Sequence, residues 1–280
     1  MNFKINAELH YEVQQRSTLL LNIHALSTGN QVLSDESFQV TPGVEWEEFP
    51  LKTGENRYIR LDTCDATQLD IVYSVNARSE VEMVSHEEIQ KVSISDLRRN
   101  AIPYLFPSRY CQSDRLGRLA MKQFGGIDHP YDQVVAITDW IYENIDYLSG
   151  ETDAETSAFD TVTQRAGVCR DFAHLGISLC RALSIPARYF TGYACFMQPP
   201  DFHACFEACI GNRWYIFDPT RLSSLNGLIR IATGRDAADA AVATIFGPVQ
   251  MTGMSVSCVS DDFKPLSAED LKGSAVIIKP

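Results

Sequence analysis

Six residues near the start of the chain constrain its fold more than any others. Phe3, Ile5, Ala7, Leu9, Tyr11 and Val13 are apolar, and every residue between them is polar or charged. A spacing of two sends all six side chains to one face of an extended strand, whereas a helix would scatter them around its circumference. Leu19, Leu21, Ile23 and Ala25 repeat the pattern up to Ser27-Thr28-Gly29-Asn30, and Leu69, Ile71, Tyr73, Val75 and Ala77 repeat it again. Several half-buried strands with turn residues between them, and no helical period among them, predict a small antiparallel β-sandwich domain over residues 1–95. His10 and His24 fall on these strand patterns and are read as structural.

The alternation stops near Ser95. Pro103 and Pro107 flank Tyr104-Leu105-Phe106, which suits a connector laid on a surface, so residues 96–112 are expected to link two domains. From Ser113 the period becomes helical. Ser113 or Asp114 can cap a helix that runs to about Phe124 and stops at Gly125-Gly126. A second helix follows Pro130, with Val134, Ile137, Ile141 and Ile145 on its buried face. A third covers Ala158 to Arg165. A fourth begins at Cys169, with Phe172, Leu175, Leu179 and Leu183 on one stripe, and ends at Ser184-Ile185-Pro186. Strands follow over 187–194, 203–210 and 213–218, then a short helix near 235–242 and a strand near 254–259. Helices first and strands after predict an α+β domain over residues 113–280.

Composition narrows the partners. Of 280 residues, 45% are hydrophobic, enough for a sizeable core. Lysine and arginine total 24 against 36 acids, a formal charge of -12, which argues against nucleic acid and anionic membrane surfaces. No apolar run approaches the roughly 18 residues of a membrane span. The first residues read as a strand rather than a signal peptide, so a soluble, cytoplasmic protein is expected. Its eight cysteines include no Cys-x-x-Cys pair and are expected to be free thiols, mostly buried.

One of them stands apart. Cys169 lies just after Gly167 at the predicted start of a helix, where unpaired backbone N–H groups and the helix dipole favour a thiolate. His203 and Asp218 lie downstream, the inventory of a thiol nucleophile, its base and the base's orienter. Register counting tests whether the last two can meet. If Gly211-Asn212 is a two-residue loop, Ile210 pairs with Arg213, His203 lies opposite Thr220, and Asp218 is its diagonal neighbour on the same face. A loop one residue longer or shorter would put them on opposite faces. A zinc site built from Cys169, His203, Cys205 and Cys209 is the competing arrangement. Alternate positions on one strand stand roughly 7 Å apart, a poor tetrahedral set, so no metal or cofactor is expected. A non-catalytic binding module is the other alternative. His174 lies about 140° around the helix from Cys169 and is read as a helix-face residue. Asp171 is read as a helix-start carboxylate, and Gln164 as a surface helix residue.

Gly167 through Leu175, Ile185-Pro186-Ala187-Arg188-Tyr189, Gly192-Tyr193, His203-Ala204 and Trp214 through Thr220 together resemble the core of bacterial transglutaminase-like proteins. The β-rich start resembles the domain that often precedes that core, and Asn226-Gly227 and Gly234 through Asp239 resemble its downstream segment. The resemblance implies a papain-like core with Cys169, His203 and Asp218 as a triad. It implies a cysteine protease or amidase as readily as a crosslinking enzyme, with a peptide, protein or small amide as substrate. It also places Tyr147 where the family often carries a tyrosine near the active site, as an oxyanion or substrate contact. The sequence departs from the family at Cys205, where an aromatic residue is common, and at Gly54-Glu55-Asn56, an approximate form of a Gly-Asn marker.

Overall fold

A computed structural model of the chain describes residues 1–50 and 56–278. Its N-terminal part is β-rich: β1 (Asn2–Val13), β2 (Thr18–Leu21), β3 (Gln31–Thr41), β4 (Trp46–Pro50), β5 (Arg57–Asp62), β6 (Gln68–Ser79) and β7 (Val81–Ser85). Burial along β1 follows the alternation in its sequence, with Phe3, Ile5, Ala7, Leu9, Tyr11 and Val13 all inside. The second expected strand is shorter than its pattern. It ends at Leu21 because the Asn22 backbone N–H is given to the Val242 carbonyl (2.9 Å) and its side chain to the Ala241 carbonyl (2.9 Å).

The mixed core follows: α1 (Ser113–Phe124), α2 (Pro130–Asn144), β8 (Asp146–Tyr147), α3 (Ala158–Gln164), β9 (Ala166–Gly167), α4 (Cys169–Ala182), β10 (Ala187–Ala194), β11 (Phe202–Ile210), β12 (Arg213–Phe217), β13 (Leu228–Gly234) and α5 (Ala237–Ala240). Four of its strands form an antiparallel sheet in the order β12-β11-β10-β13. The α4 helix is not a one-stripe helix: every residue from Asp171 to Arg181 is buried, as expected of a helix enclosed on all sides. Gly176 lets it approach the sheet, since a Cβ there would lie 2.5 Å from the Phe206 ring.

The chain then returns to its beginning. The strand β14 (Ala243–Phe246) pairs with β2, and β15 (Val249–Val259) pairs with β1. The two N-terminal sheets therefore have the orders β15-β1-β6-β3 and β14-β2-β5-β4. The last strand, β16 (Ser274–Ile278), pairs with β7. The sequence places residues 243–259 and 274–278 in the unit starting at Ser113, and in the structure their strands pair with β1, β2 and β7. Pairing between strands far apart in the chain leaves no mark on local periodicity, so the return was not legible. Of the expected Gly54-Glu55-Asn56 marker, Gly54 and Glu55 lie outside the described residues. Asn56 is buried and joins the two parts: its amide donates to the Thr233 carbonyl (2.8 Å) and accepts from the Thr233 N–H (2.9 Å).

A buried ionic group sits in the middle of the core sheet. Glu207 on β11 has no exposed surface and accepts hydrogen bonds from Arg230 (2.7 and 3.1 Å) and Arg188 (2.6 Å). Burial alone would raise its carboxyl, but the two guanidinium groups hold it below the usual range. Glu207→Ala would leave buried positive charge without its carboxylate. A loss of about 3–5 kcal/mol is expected, measured as a lower denaturation midpoint in urea with an unchanged slope.

Candidate active site

The start of α4 is built around one carboxylate. Asp171 is fully buried and accepts the Val168 backbone N–H (3.0 Å), the Thr152 hydroxyl (2.7 Å) and two Arg170 guanidinium N–H groups (2.9 and 3.0 Å). It occupies the helix-start position that the dipole favours. Gly167 makes the approach possible, because a Cβ there would come within 2.7 Å of the Asp171 Cβ. This holds half-buried Cys169 as the first residue of the helix.

The hairpin after β10 has the register counted from the sequence. Gly211 and Asn212 have φ of +60° and +62°, as a two-residue hairpin turn requires. Ile210 pairs with Arg213, Cys209 with Trp214, and so on to Phe206 with Phe217. Asp218 follows directly, and its Oδ2 lies 2.8 Å from His203 Nε2. The other carboxylate oxygen accepts the Thr220 N–H (3.0 Å) and the Thr220 hydroxyl (2.7 Å). Both partners are buried, His203 at 1% and Asp218 at 6% exposure.

With Nε2 committed to Asp218, the other ring nitrogen, Nδ1, is left without a hydrogen-bond partner of its own. The Cys169 thiol stands close enough to the ring to favour its charged form. Such contacts are often loose before substrate binds. Burial works against the imidazolium, but the Asp218 carboxylate outweighs it and holds His203 well above the ordinary histidine range. Asp218 is raised by burial, but His203 and Thr220 bring its carboxyl below the usual value.

Tyr147 reaches the same place from another element. Its strand, β8, pairs with β9 so that Tyr147 lies beside Gly167, and its ring is 5.7 Å from that of Phe172. Its hydroxyl lies near enough to the Cys169 backbone N–H and to His203 to feel both. Tyr147 is 40% exposed, and burial of the phenol, helped by the neighbouring cysteine, pushes it up to about 12. The structure adds Asp201 to this neighbourhood, a carboxylate that interacts with both His203 and Tyr147. Its only signal in the sequence is its position two residues before the histidine. Gln164 is an exposed residue at the end of α3. His174 accepts the Ala237 N–H (3.1 Å) and stacks on Tyr110, so it fastens α5 to α4. His10 pairs with Asp70 and His24 with Glu48, both at 2.6 Å.

Two groups among the described residues bring ligand-type atoms within 4.8 Å of one another: His203, Cys205 and Asp218, and His86, His129 and Asp132. Cys209, part of the zinc arrangement weighed above, belongs to neither. Burial pushes the Cys205 thiol up to about 12, which disfavours a thiolate ligand. His129 has both nitrogens engaged, one with the Ile89 carbonyl (3.1 Å) and one with the Tyr131 N–H (3.2 Å).

Known proteins share this architecture. Residues 117–219 match the transglutaminase-like superfamily, and residues 1–100 match the bacterial transglutaminase N-terminal domain. The solved structure of a candidate cysteine protease from Cytophaga hutchinsonii is 52% identical, with a TM-score of 0.96 over 100% of this chain and 98% of that one. An uncharacterized protein of Mycobacterium leprae is 28% identical over 187 residues, 62% of this chain and 64% of that protein. This chain thus matches less than two thirds of that relative's length. An uncharacterized protein of Mycobacterium tuberculosis is 40% identical over 60 residues, 21% of this chain and 19% of that protein. The chain belongs to the transglutaminase-like superfamily, with a bacterial transglutaminase N-terminal domain ahead of its core.

Proposed function

We propose that this chain is a thiol enzyme that cleaves or transfers an amide or peptide acyl group through a thioester on Cys169, with hydrolysis favoured over crosslinking. The observation that carries this reading is the buried 2.8 Å contact of His203 with Asp218, whose free ring nitrogen is left for a thiol at a helix start. The Cytophaga relative, described as a candidate cysteine protease, supports the choice of hydrolysis. A nucleophile at the start of a buried helix, with its base on the facing sheet, is also the arrangement of a papain-like core. The paired N-terminal sheets, which share one buried core, suit a sandwich.

The chemistry follows from the charges. The Cys169 thiol gives its proton to His203, and the thiolate attacks the substrate carbonyl carbon. The oxyanion that forms lies near the Cys169 N–H, with Tyr147 as a second contact. The imidazolium, oriented by Asp218, protonates the leaving amine, and the thioester is released to water or to another amine. The substrate is a peptide, a protein or a small amide.

Limiting iodoacetamide near neutral pH should alkylate Cys169 before the other thiols, and His203→Ala should abolish that preference. Cys169→Ala should lower turnover in a peptide and amide library by roughly 10³-fold or more. Equal turnover by wild type and Cys169→Ala, or labelling of Cys169 no faster than its neighbours, would return the chain to a binding module.

The raised His203 sets the pH dependence. Removing the carboxylate in Asp218→Asn leaves burial as the dominant influence, so His203 should lose its proton at lower pH. The alkaline limb of the pH–turnover profile, which reports loss of the imidazolium that protonates the leaving amine, should move to lower pH in Asp218→Asn. The pair also stabilises the fold. The histidine's share is complete below its unfolded value near 6.5 and is lost as pH rises through its raised folded value. The aspartate's share is complete above about 3.9 and is lost as pH falls through its lowered folded value. The stability gap between wild type and Asp218→Asn should therefore be widest at roughly pH 4–6.5, measured by denaturant unfolding across pH.

A further inference from the structure

Two cysteines away from the candidate active site stand in contact. Cys195 follows β10 in the core sheet, and Cys258 lies on β15 in the sheet of β1. Both are free thiols, 4% and 5% exposed, and their side chains are within hydrogen-bonding contact of each other. The backbone brings them together. The Phe196 N–H donates to the Cys258 carbonyl (3.0 Å), and the Cys195 N–H donates to the Gly227 carbonyl (2.9 Å). Gly227 closes the other side, since a Cβ there would lie 3.1 Å from the Cys195 Cβ.

We propose that Cys195 and Cys258 form a redox-convertible pair, oxidised by a peroxide or a low-molecular-weight disulfide to a disulfide that staples the N-terminal sheet to the core. The chemistry is the same whichever of the two sulfurs is oxidised first. With hydrogen peroxide, one sulfur takes one oxygen to become a sulfenic acid and releases water. The other thiol then attacks that sulfur, the S–S bond forms, and a second water leaves. Two thiols and one peroxide thus give one disulfide and two waters. The bond would fix the start of the segment 195–201, which leads directly to His203, and β10 itself pairs with β11 at Gly192 and His203. The proposal does not depend on Cys169 being a nucleophile.

The test uses the full chain in both wild-type and Cys169→Ser forms, reduced, then treated with hydrogen peroxide or oxidised glutathione. Peptide mapping without reductant should find the peptides of Cys195 and Cys258 linked, and both thiols protected from alkylation after unfolding. The linked protein should melt about 5–10 °C higher than the reduced one. Cys195→Ser and Cys258→Ser should each remove the link and the shift. Full alkylation of both cysteines after treatment, glutathione adducts without a link, or a link that leaves the melting temperature unchanged would overturn the proposal.

Discussion

The candidate site depends on a turn of two residues. Gly211 and Asn212 fix Ile210 opposite Arg213, and every pair along β11 and β12 follows from that one. His203 and Asp218 meet only in this register, because a slip of one residue would turn one of them to the other face. The surroundings hold the turn against such a slip. A Cβ on Gly211 would stand 2.7 Å from the Gln90 carbonyl oxygen. The Asn212 side chain accepts the Arg98 N–H (2.8 Å) and donates to the Asp96 carbonyl (3.0 Å). The connector between the two parts of the molecule is thus bound to the hairpin that sets His203 and Asp218.

The Cys169 side of the candidate site is set by a different device, and packing joins the two. Asp171 fixes the first turn of α4 and therefore Cys169. Gly176, seven residues further along, receives the Phe206 ring. Phe206 in turn stacks on Phe217, its partner across the hairpin, at 5.6 Å. Phe217 is the residue before Asp218. The distance between the helix carrying the thiol and the strand carrying the carboxylate is therefore governed by a close-packed glycine–phenylalanine–phenylalanine stack. Close-packed interiors transmit changes of a single methyl group, so this stack positions the site without touching it.

Local pattern made legible what is locally determined. The alternation of β1 and β6, the span of α1, the face of α2, the start of α4 and the 211–212 turn are each written within a few residues. The strand β3 was missed because its side chains are mostly exposed or half-buried, leaving Gln31 to Thr41 without a clean alternation. The strand β7 was missed because its partner, β16, is far away in the chain. The same holds for the return of β14 and β15, for the Glu207–Arg230 ion pair and for the Cys195–Cys258 contact. The expected stripe on α4 was real but too narrow, since a helix wrapped by other helices and a sheet buries polar residues such as Asp171, His174, Ser178 and Arg181 as well. For Asp171, His174 and Arg181, hydrogen bonds rather than hydropathy settle the place.

The strand β11 carries His203, Cys205 and Glu207 at alternate positions, so two ionic groups share one buried row. The Glu207 group stands about 13 Å along the strand from His203, where at an effective dielectric of 20 a unit charge counts for about 1 kcal/mol. Asp218, at 2.8 Å, favours the imidazolium by about 6 kcal/mol on the same scale. Cys205 lies between them as a thiol, because its burial keeps the proton on, and adds no charge of its own near neutrality. The charge state of His203 is therefore decided by its contact with Asp218, and the arginine–glutamate group decides how firmly the sheet beneath it is held.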